Sequence, residues 1–157
     1  MNSLKEAIEE MWPTRVWVGT LILDSLNAGL PACIEAEVSQ IAKELIPNER
    51  LIWNFKEEKY VPGSFVAMRW NEGSVVSITV IESSGQGSNP ESGKITLHDP
   101  RAGAAAIPVP GRPWGQPANI SPSVGTTLVF SSWIAWSLAP LSATHAIRLS
   151  IGTAQKQ

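Results

Sequence analysis

The chain holds two imidazoles, His98 in TLHDPR and His145 in THAIRLS. A metal site of the usual imidazole type would need both of them plus a carboxylate such as Asp99 or Glu82, and their separation matches no metal-ligand spacing. His-Asp-Pro-Arg also reads as a strand-ending turn whose Asp bonds nearby backbone. Cys33 is the single cysteine, which excludes an internal disulfide and cannot alone hold zinc. It falls on the apolar stripe of a predicted helix, where a thiol behaves as a small buried hydrophobe. There is no G-x-S-x-G elbow, no phosphate-binding loop and no dinucleotide fingerprint. Tryptophan is what the chain has in excess, with seven against three Phe and one Tyr. Indole combines a large apolar area with one N–H donor. Trp12, Trp17 and Trp53 read as core, whereas Trp70, Trp133 and Trp136 lie on or beside strands that also carry polar residues and could line a pocket.

The elements that must position these residues change period once along the chain. The charged segment from Asn2 to Met11 is helix-compatible, and Trp12-Pro13 ends it, because a residue before proline is pushed out of helical geometry. Arg15 to Ile22 reads as a short strand of β-branched and aromatic residues. Asp24 or Ser25 can then cap a helix, since Leu26, Leu30, Ile34, Val38, Ile41 and Leu45 recur at spacings of three and four. Pro31 places a first turn or a break in it, and Pro47-Asn48 closes it. From residue 51 the periodicity is that of strands: LIWNF, SFVAMRW, SVVSITVI, GKITLHD, GTTLVFSSWI and HAIRLSIG. One or two helices followed by strands with no alternating helices predict a mainly β, α+β chain with an antiparallel sandwich or barrel. Two loops interrupt the strands, SSGQGSNPESG from Ser83 to Gly93 and a Gly-, Ala- and Pro-rich stretch from Arg101 to Pro122 that carries Trp114. A long loop of the second kind is a candidate lid.

Composition narrows the partners. The 157 residues make about one domain, able to bury about 70% of the unfolded surface, so residues 1–157 are expected to fold as a single unit. Twelve Lys and Arg against fourteen Asp and Glu give a formal charge of −2, leaving no basic field for nucleic acid. No charged residue occurs between Arg112 and Arg148. The hydroxyls at Thr126, Thr127, Ser131, Ser132 and Ser137 and the stop at Pro140 speak for buried strands rather than a membrane span. MNSLKEAIEEM lacks the apolar core of a signal peptide, so a reducing cytoplasm is the expected compartment. Exposed strand edges make a homodimer reasonable.

The segment ISPSVGTTLVFSSWIAWSLAPLSATHAIRLSIG resembles the C-terminal half of 2-oxoglutarate/Fe(II) dioxygenases of the small bacterial and phage type. That half reads approximately P-x-x-G-x-L-v-x-F-P-S-W-L-x-H-x-V-x-P followed by R-I-S-I. Pro122, Gly125, Leu128, Phe130, Ser132, Trp133, Pro140, Arg148, Ser150 and Ile151 match in order. Upstream, GKITLHDPR is similar to the family's strand ending in Asp-Pro-Arg, at Asp99, Pro100 and Arg101, and WPTRVWVGTLILDSLNAGL is similar to its opening strand and helix. The resemblance implies a double-stranded β-helix, a cupin-like jelly roll with a pocket in one mouth and the helix packed outside the sheet.

Against that pattern the family's two-His-one-carboxylate iron triad is broken. The distal histidine falls on Trp136, and the proximal His-x-Asp falls on Trp70-Asn71-Glu72. Indole has no basic lone pair to give a metal, and of these residues only Glu72 keeps a ligating side chain. Arg148 takes the position whose guanidinium holds the far carboxylate of 2-oxoglutarate in the family, and a fork-shaped carboxylate contact suits it. The resemblance therefore implies a degenerate oxygenase scaffold with no cofactor, acting on a hydrophobic small molecule in a redox-neutral cyclisation, isomerisation or elimination. Glu72 is the expected base and Arg148 the expected anion anchor. Trp70, Trp136 and Trp114, with Arg69 and His98, are expected to bind the substrate. Two alternatives stand beside it. One is an inactive accessory or binding subunit of a partner biosynthetic enzyme. The other is an active oxygenase using Fe(II) and 2-oxoglutarate through ligands recruited from His98, Asp99 or Glu72.

Overall fold

Hydrophobic alternation along the second half of the chain is satisfied by two antiparallel sheets packed face to face. In the computed structural model, residues 8–11, 14–22, 30–98 and 117–157 are described. Strands β1 (Ile8–Met11), β2 (Thr14–Thr20), β3 (Leu51–Tyr60), β5 (Val75–Ser84), β8 (Thr126–Ser131) and β10 (Ala146–Lys156) form a six-stranded sheet in the order β1-β2-β8-β5-β10-β3. Strands β4 (Val66–Arg69), β6 (Ile95–Leu97), β7 (Ala118–Ile120) and β9 (Trp136–Leu138) form a four-stranded sheet in the order β4-β9-β6-β7. Successive strands cross between the sheets, which makes the expected double-stranded β-helix.

Between the sheets lies the larger core. Val76, Ile78 and Val80 of β5, Leu128 and Phe130 of β8, and Leu149 and Ile151 of β10 meet Ile95, Leu97, Trp136 and Leu138 from the smaller sheet. Because side chains alternate along a strand, the other face of the large sheet presents Trp17, Val75, Val129 and Ala154. Helix α1 (Leu30–Leu45) covers that face. Its stripe of Ile34, Val38, Ile41 and Ala42 is buried there, so the helix lies outside the sheet as the period-3.6 pattern requires. Pro31 falls in the first turn, where a missing N–H leaves no bond unmade. Past the last turn, Asn48 adopts a left-handed φ of 68°, a conformation Asn tolerates at a helix end. The predicted start of this helix, at Asp24 or Ser25, lies outside the described residues.

Three local expectations are corrected. Ile8–Met11, read as helix-compatible, is a strand that pairs with β2, Glu9 opposite Val16; four residues carry too little helical preference to resist a neighbouring strand. GTTLVFSSWI is not one strand, because β8 ends at Ser131 and the chain turns before entering the other sheet as β9. LIWNF does not end at Phe55, since KEEKY continues β3 to Tyr60. The charge-free window is occupied from residue 118 by strands, and among the described residues no helix is long and apolar enough to cross a membrane.

Candidate functional site

The edge strands of the two sheets, β3 and β4, are bridged by side chains. Glu58 and Tyr60 are two apart on β3 and so share a face. Arg69 ends β4 directly opposite Trp136 of β9. The Arg69 guanidinium donates from its two terminal nitrogens to the two oxygens of Glu58, at 3.0 and 3.2 Å, the fork geometry that makes Arg–carboxylate pairs strong. Tyr60 donates its hydroxyl to the same carboxylate. The guanidinium also lies over the Trp136 ring, 4.8 Å from its centroid, a cation–π contact. Trp136 is fully buried, and its indole N–H donates to Asn71 Oδ1 at 2.7 Å. Gly73 holds this segment in place: with φ at +102°, it sits where a Cβ would meet the Ala154 carbonyl oxygen at 2.7 Å, and its own carbonyl accepts from Ser132 Oγ at 2.6 Å.

Burial by itself would raise the Glu58 carboxyl's pKa. The hydrogen bonds from Arg69 and Tyr60 and the charges of Arg69 and Lys56 outweigh that, holding it below the ordinary carboxylate value. The Tyr60 hydroxyl is pushed well above the usual phenol range by burial and then by Glu58. Glu58 is thus ionised and Tyr60 protonated at neutral pH. Above the cluster opens a groove of about 240 Å³, lined by Asn54, Lys56, Glu58, Arg69, Asn71, Ile151 and Thr153.

Of the residues singled out from sequence, Trp136 and Arg69 come together here. Trp70 does not join them; it is 61% exposed. Glu72 is exposed and lines an adjacent groove with Ile52 and Trp53. Ile147, Leu149 and Ile151 enter the inter-sheet core, so Arg148 between them points to the opposite face. There it pairs with Glu82 at 3.1 Å and Glu57 at 3.6 Å. His98 hydrogen-bonds Ser137 Oγ through Nε2 at 2.8 Å, and burial lowers its pKa. Trp114, Asp99, Pro100 and Arg101 lie outside the described residues. Cys33 is half-buried on α1.

The second histidine sits in a network of its own. His145 is fully buried, with Nδ1 2.6 Å from Ser92 Oγ and Nε2 3.0 Å from Ser83 Oγ. Ser92 Oγ also accepts the Ser142 N–H at 2.8 Å. Burial lowers the imidazole's pKa. The two histidines are not gathered, and among the described residues no group of three His, Cys, Asp or Glu side chains could hold a metal ion. Sequence reading missed Glu58 and Tyr60, because the alternation of Leu51, Trp53 and Phe55 stops at the charged run 56–59 and Tyr60 falls out of phase with it.

Solved structures place this architecture. A prolyl-4-hydroxylase of Pseudomonas putida superposes with a TM-score of 0.60 at 12% identity, over 91% of this chain and 73% of that one. An oxidoreductase of the 2OG-Fe(II) oxygenase family from Burkholderia pseudomallei gives 0.56 at 12% identity, over 98% and 76%. The non-heme alpha-ketoglutarate-dependent epimerase SnoN from nogalamycin biosynthesis gives 0.55 at 10% identity, over 93% and 64%. The fold is the double-stranded β-helix of these oxygenases. By sequence, no family model and no curated protein matches the chain.

That fold implies an Fe(II) ion, and the donor set at the groove does not fit one. Trp136 offers an N–H and no lone pair, the accepting oxygen of Asn71 is engaged by that N–H, and Arg69 brings a fixed positive charge to the spot.

Proposed function

We propose that the protein is a metal-independent double-stranded β-helix whose inter-sheet groove binds and orients a small molecule for a redox-neutral step. The observation that carries this reading is the pairing beneath the groove, where the buried indole of Trp136, which the sequence resemblance aligns with the distal iron ligand, lies under the clamped guanidinium of Arg69, the residue just before the Trp70-Asn71-Glu72 segment aligned with the proximal ligands. Holding the substrate near its attack geometry in such a groove lowers the barrier by excluding unproductive conformers, and positioning a reacting group of the protein beside it adds a proximity gain whose upper limit is about 7–11 kcal/mol. The carboxylate at the groove is Glu58, and because Arg69 and Tyr60 hold it ionised it is a weak base. Cyclisation or isomerisation guided by shape and by the Arg69 charge therefore fits better than an elimination that needs a strong proton acceptor. A second reading, docking of a partner biosynthetic enzyme, is favoured by the exposed Trp70 and Trp133. The Ser132 hydroxyl bound to the Gly73 carbonyl holds their two loops together.

The test is anaerobic loading with Fe(II), removal of free metal, elemental analysis, and a measurement of succinate after addition of 2-oxoglutarate and oxygen. The expected result is iron well below one per chain and no succinate. One iron per chain with 2-oxoglutarate turnover overturns the proposal and puts an oxygenase with unusual ligands in its place.

A further inference from the structure

We infer that the groove above Trp136 is built for a small organic anion anchored by Arg69, which deepens the small-molecule reading above and rests on it. A guanidinium has five N–H groups; Glu58 takes two and Tyr60 lies against the same guanidinium, so at most three remain. Asn71 receives the indole N–H on Oδ1, which fixes its amide orientation and leaves the two Nδ2 protons as donors. Lys56 adds an ammonium that lies 3.6 Å from Glu58 Oε1, and Asn54 and Thr153 add an amide and a hydroxyl that can each donate or accept. The ionised acceptor in the lining is Glu58, and its oxygens are already engaged by Arg69 and Tyr60. A surface that presents donors, with its carboxylate already engaged, is complementary to a group rich in acceptors.

Charge agrees with that count. Arg69 and Lys56 against Glu58 leave one net positive charge in a chain whose formal charge is −2. The guanidinium is fixed in its plane by Trp136 below and Glu58 beside it, so little freedom is lost on binding. Ile151 supplies an apolar wall. At about 240 Å³ the groove falls below the range of roughly 300–1,000 Å³ typical of drug-sized ligands. The ligand class is thus a compact carbon body, one ring or less, carrying a carboxylate or a phosphate.

The full chain is titrated, without metal, with benzoate, phenyl phosphate and the uncharged isostere benzamide, following binding by calorimetry. An anion is expected to bind at least about tenfold tighter than benzamide, the effect of a charge-assisted hydrogen bond, and preference between benzoate and phenyl phosphate tells carboxylate from phosphate. Arg69→Lys, which keeps the charge and loses the fork, should cost about tenfold. Should that variant fold poorly, Lys56→Gln keeps the question open to measurement, because the Lys56 side chain is 78% exposed and its loss should weaken anion binding a few-fold without touching the fold. Equal binding of benzoate and benzamide, no binding of any probe, or anion binding indifferent to Arg69→Lys and Lys56→Gln overturns the inference. Anion binding that appears only after Fe(II) is added instead overturns the metal-independent reading on which it rests.

Discussion

Arg69 and His145 are both polar side chains set at the margins of the inter-sheet core, and they are satisfied in opposite ways. His145 is closed. Its two ring nitrogens meet two serine hydroxyls, it is fully buried, and a neutral imidazole needs one donor and one acceptor, both of which are present. Arg69 is open: it is one-third exposed, two of its donors go to Glu58, and its side chain lines a groove. The first arrangement ties the end of β5 and the 91–94 turn to the loop before β10, and it is structural. The second leaves interaction capacity directed at solvent, which a stabilising contact alone does not require. Hydrogen-bond capacity left over, rather than the presence of a reactive residue type, marks the site in this molecule.

The comparison can be broken at three strengths. The largest effect belongs to Trp136→Ala, which removes the buried ring beneath Arg69 and should cost about 3–5 kcal/mol in denaturant unfolding. A much smaller loss would mean that the indole is not packed into the core. His145→Ala should cost roughly 1–3 kcal/mol, because it removes the ring partner of the buried Ser92 hydroxyl, which keeps only the Ser142 N–H, and that of the half-buried Ser83. It also has a pH signature. Because burial lowers the folded pKa of His145, its stabilisation is complete above about pH 6.5 and is lost as pH falls below that value, where the unfolded chain takes up a proton the folded ring resists. The variant should flatten the stability–pH curve in this window, leaving the part due to His98, whose pKa is lowered in the same direction. An unchanged curve would mean that the network is not closed. Arg148→Ala is the smallest, under about 1 kcal/mol by thermal melting, because its pairs with Glu82 and Glu57 are solvent-screened.

Much of the fold is written in periodicity. The spacing of Ile34, Val38 and Ile41 marks the covered helix face, and the run VVSITVI marks a strand buried on both faces, as β5 is. β7 and β9 were less legible because three-residue strands contain hardly more than one period. At the site, aligning the segment after SFVAMR with a His-x-Asp pattern pointed to Trp70 and Glu72, but the side chains that meet Trp136 are Arg69 and Asn71. A shift of one residue reverses the face of a strand, and no periodicity in WNEG fixes that register. Arg148 reads as an anchor from its place in the R-x-S-I match. A bulge between Arg148 and Leu149 and the inward Ile147, Leu149 and Ile151 decide its direction, which only the packed sheet reveals.

The continuation of β3 through Lys56-Glu57-Glu58-Lys59 also bears on how copies of this chain meet one another. β3 ends its sheet among the described residues, and an open edge invites edge-to-edge growth. The four charges read the same in both directions. Antiparallel pairing of two such edges centred on them would set Lys56 against Lys59 and Glu57 against Glu58, like charge facing like, which destabilises cross-strand pairs. Sliding to full overlap of Leu51–Tyr60 would instead set Lys59 against Ile52 and Glu58 against Trp53. A palindrome of charge thus disfavours edge-to-edge pairing of two copies through the longest edge strand among the described residues, and one of its four residues, Glu58, is also the one that clamps the guanidinium.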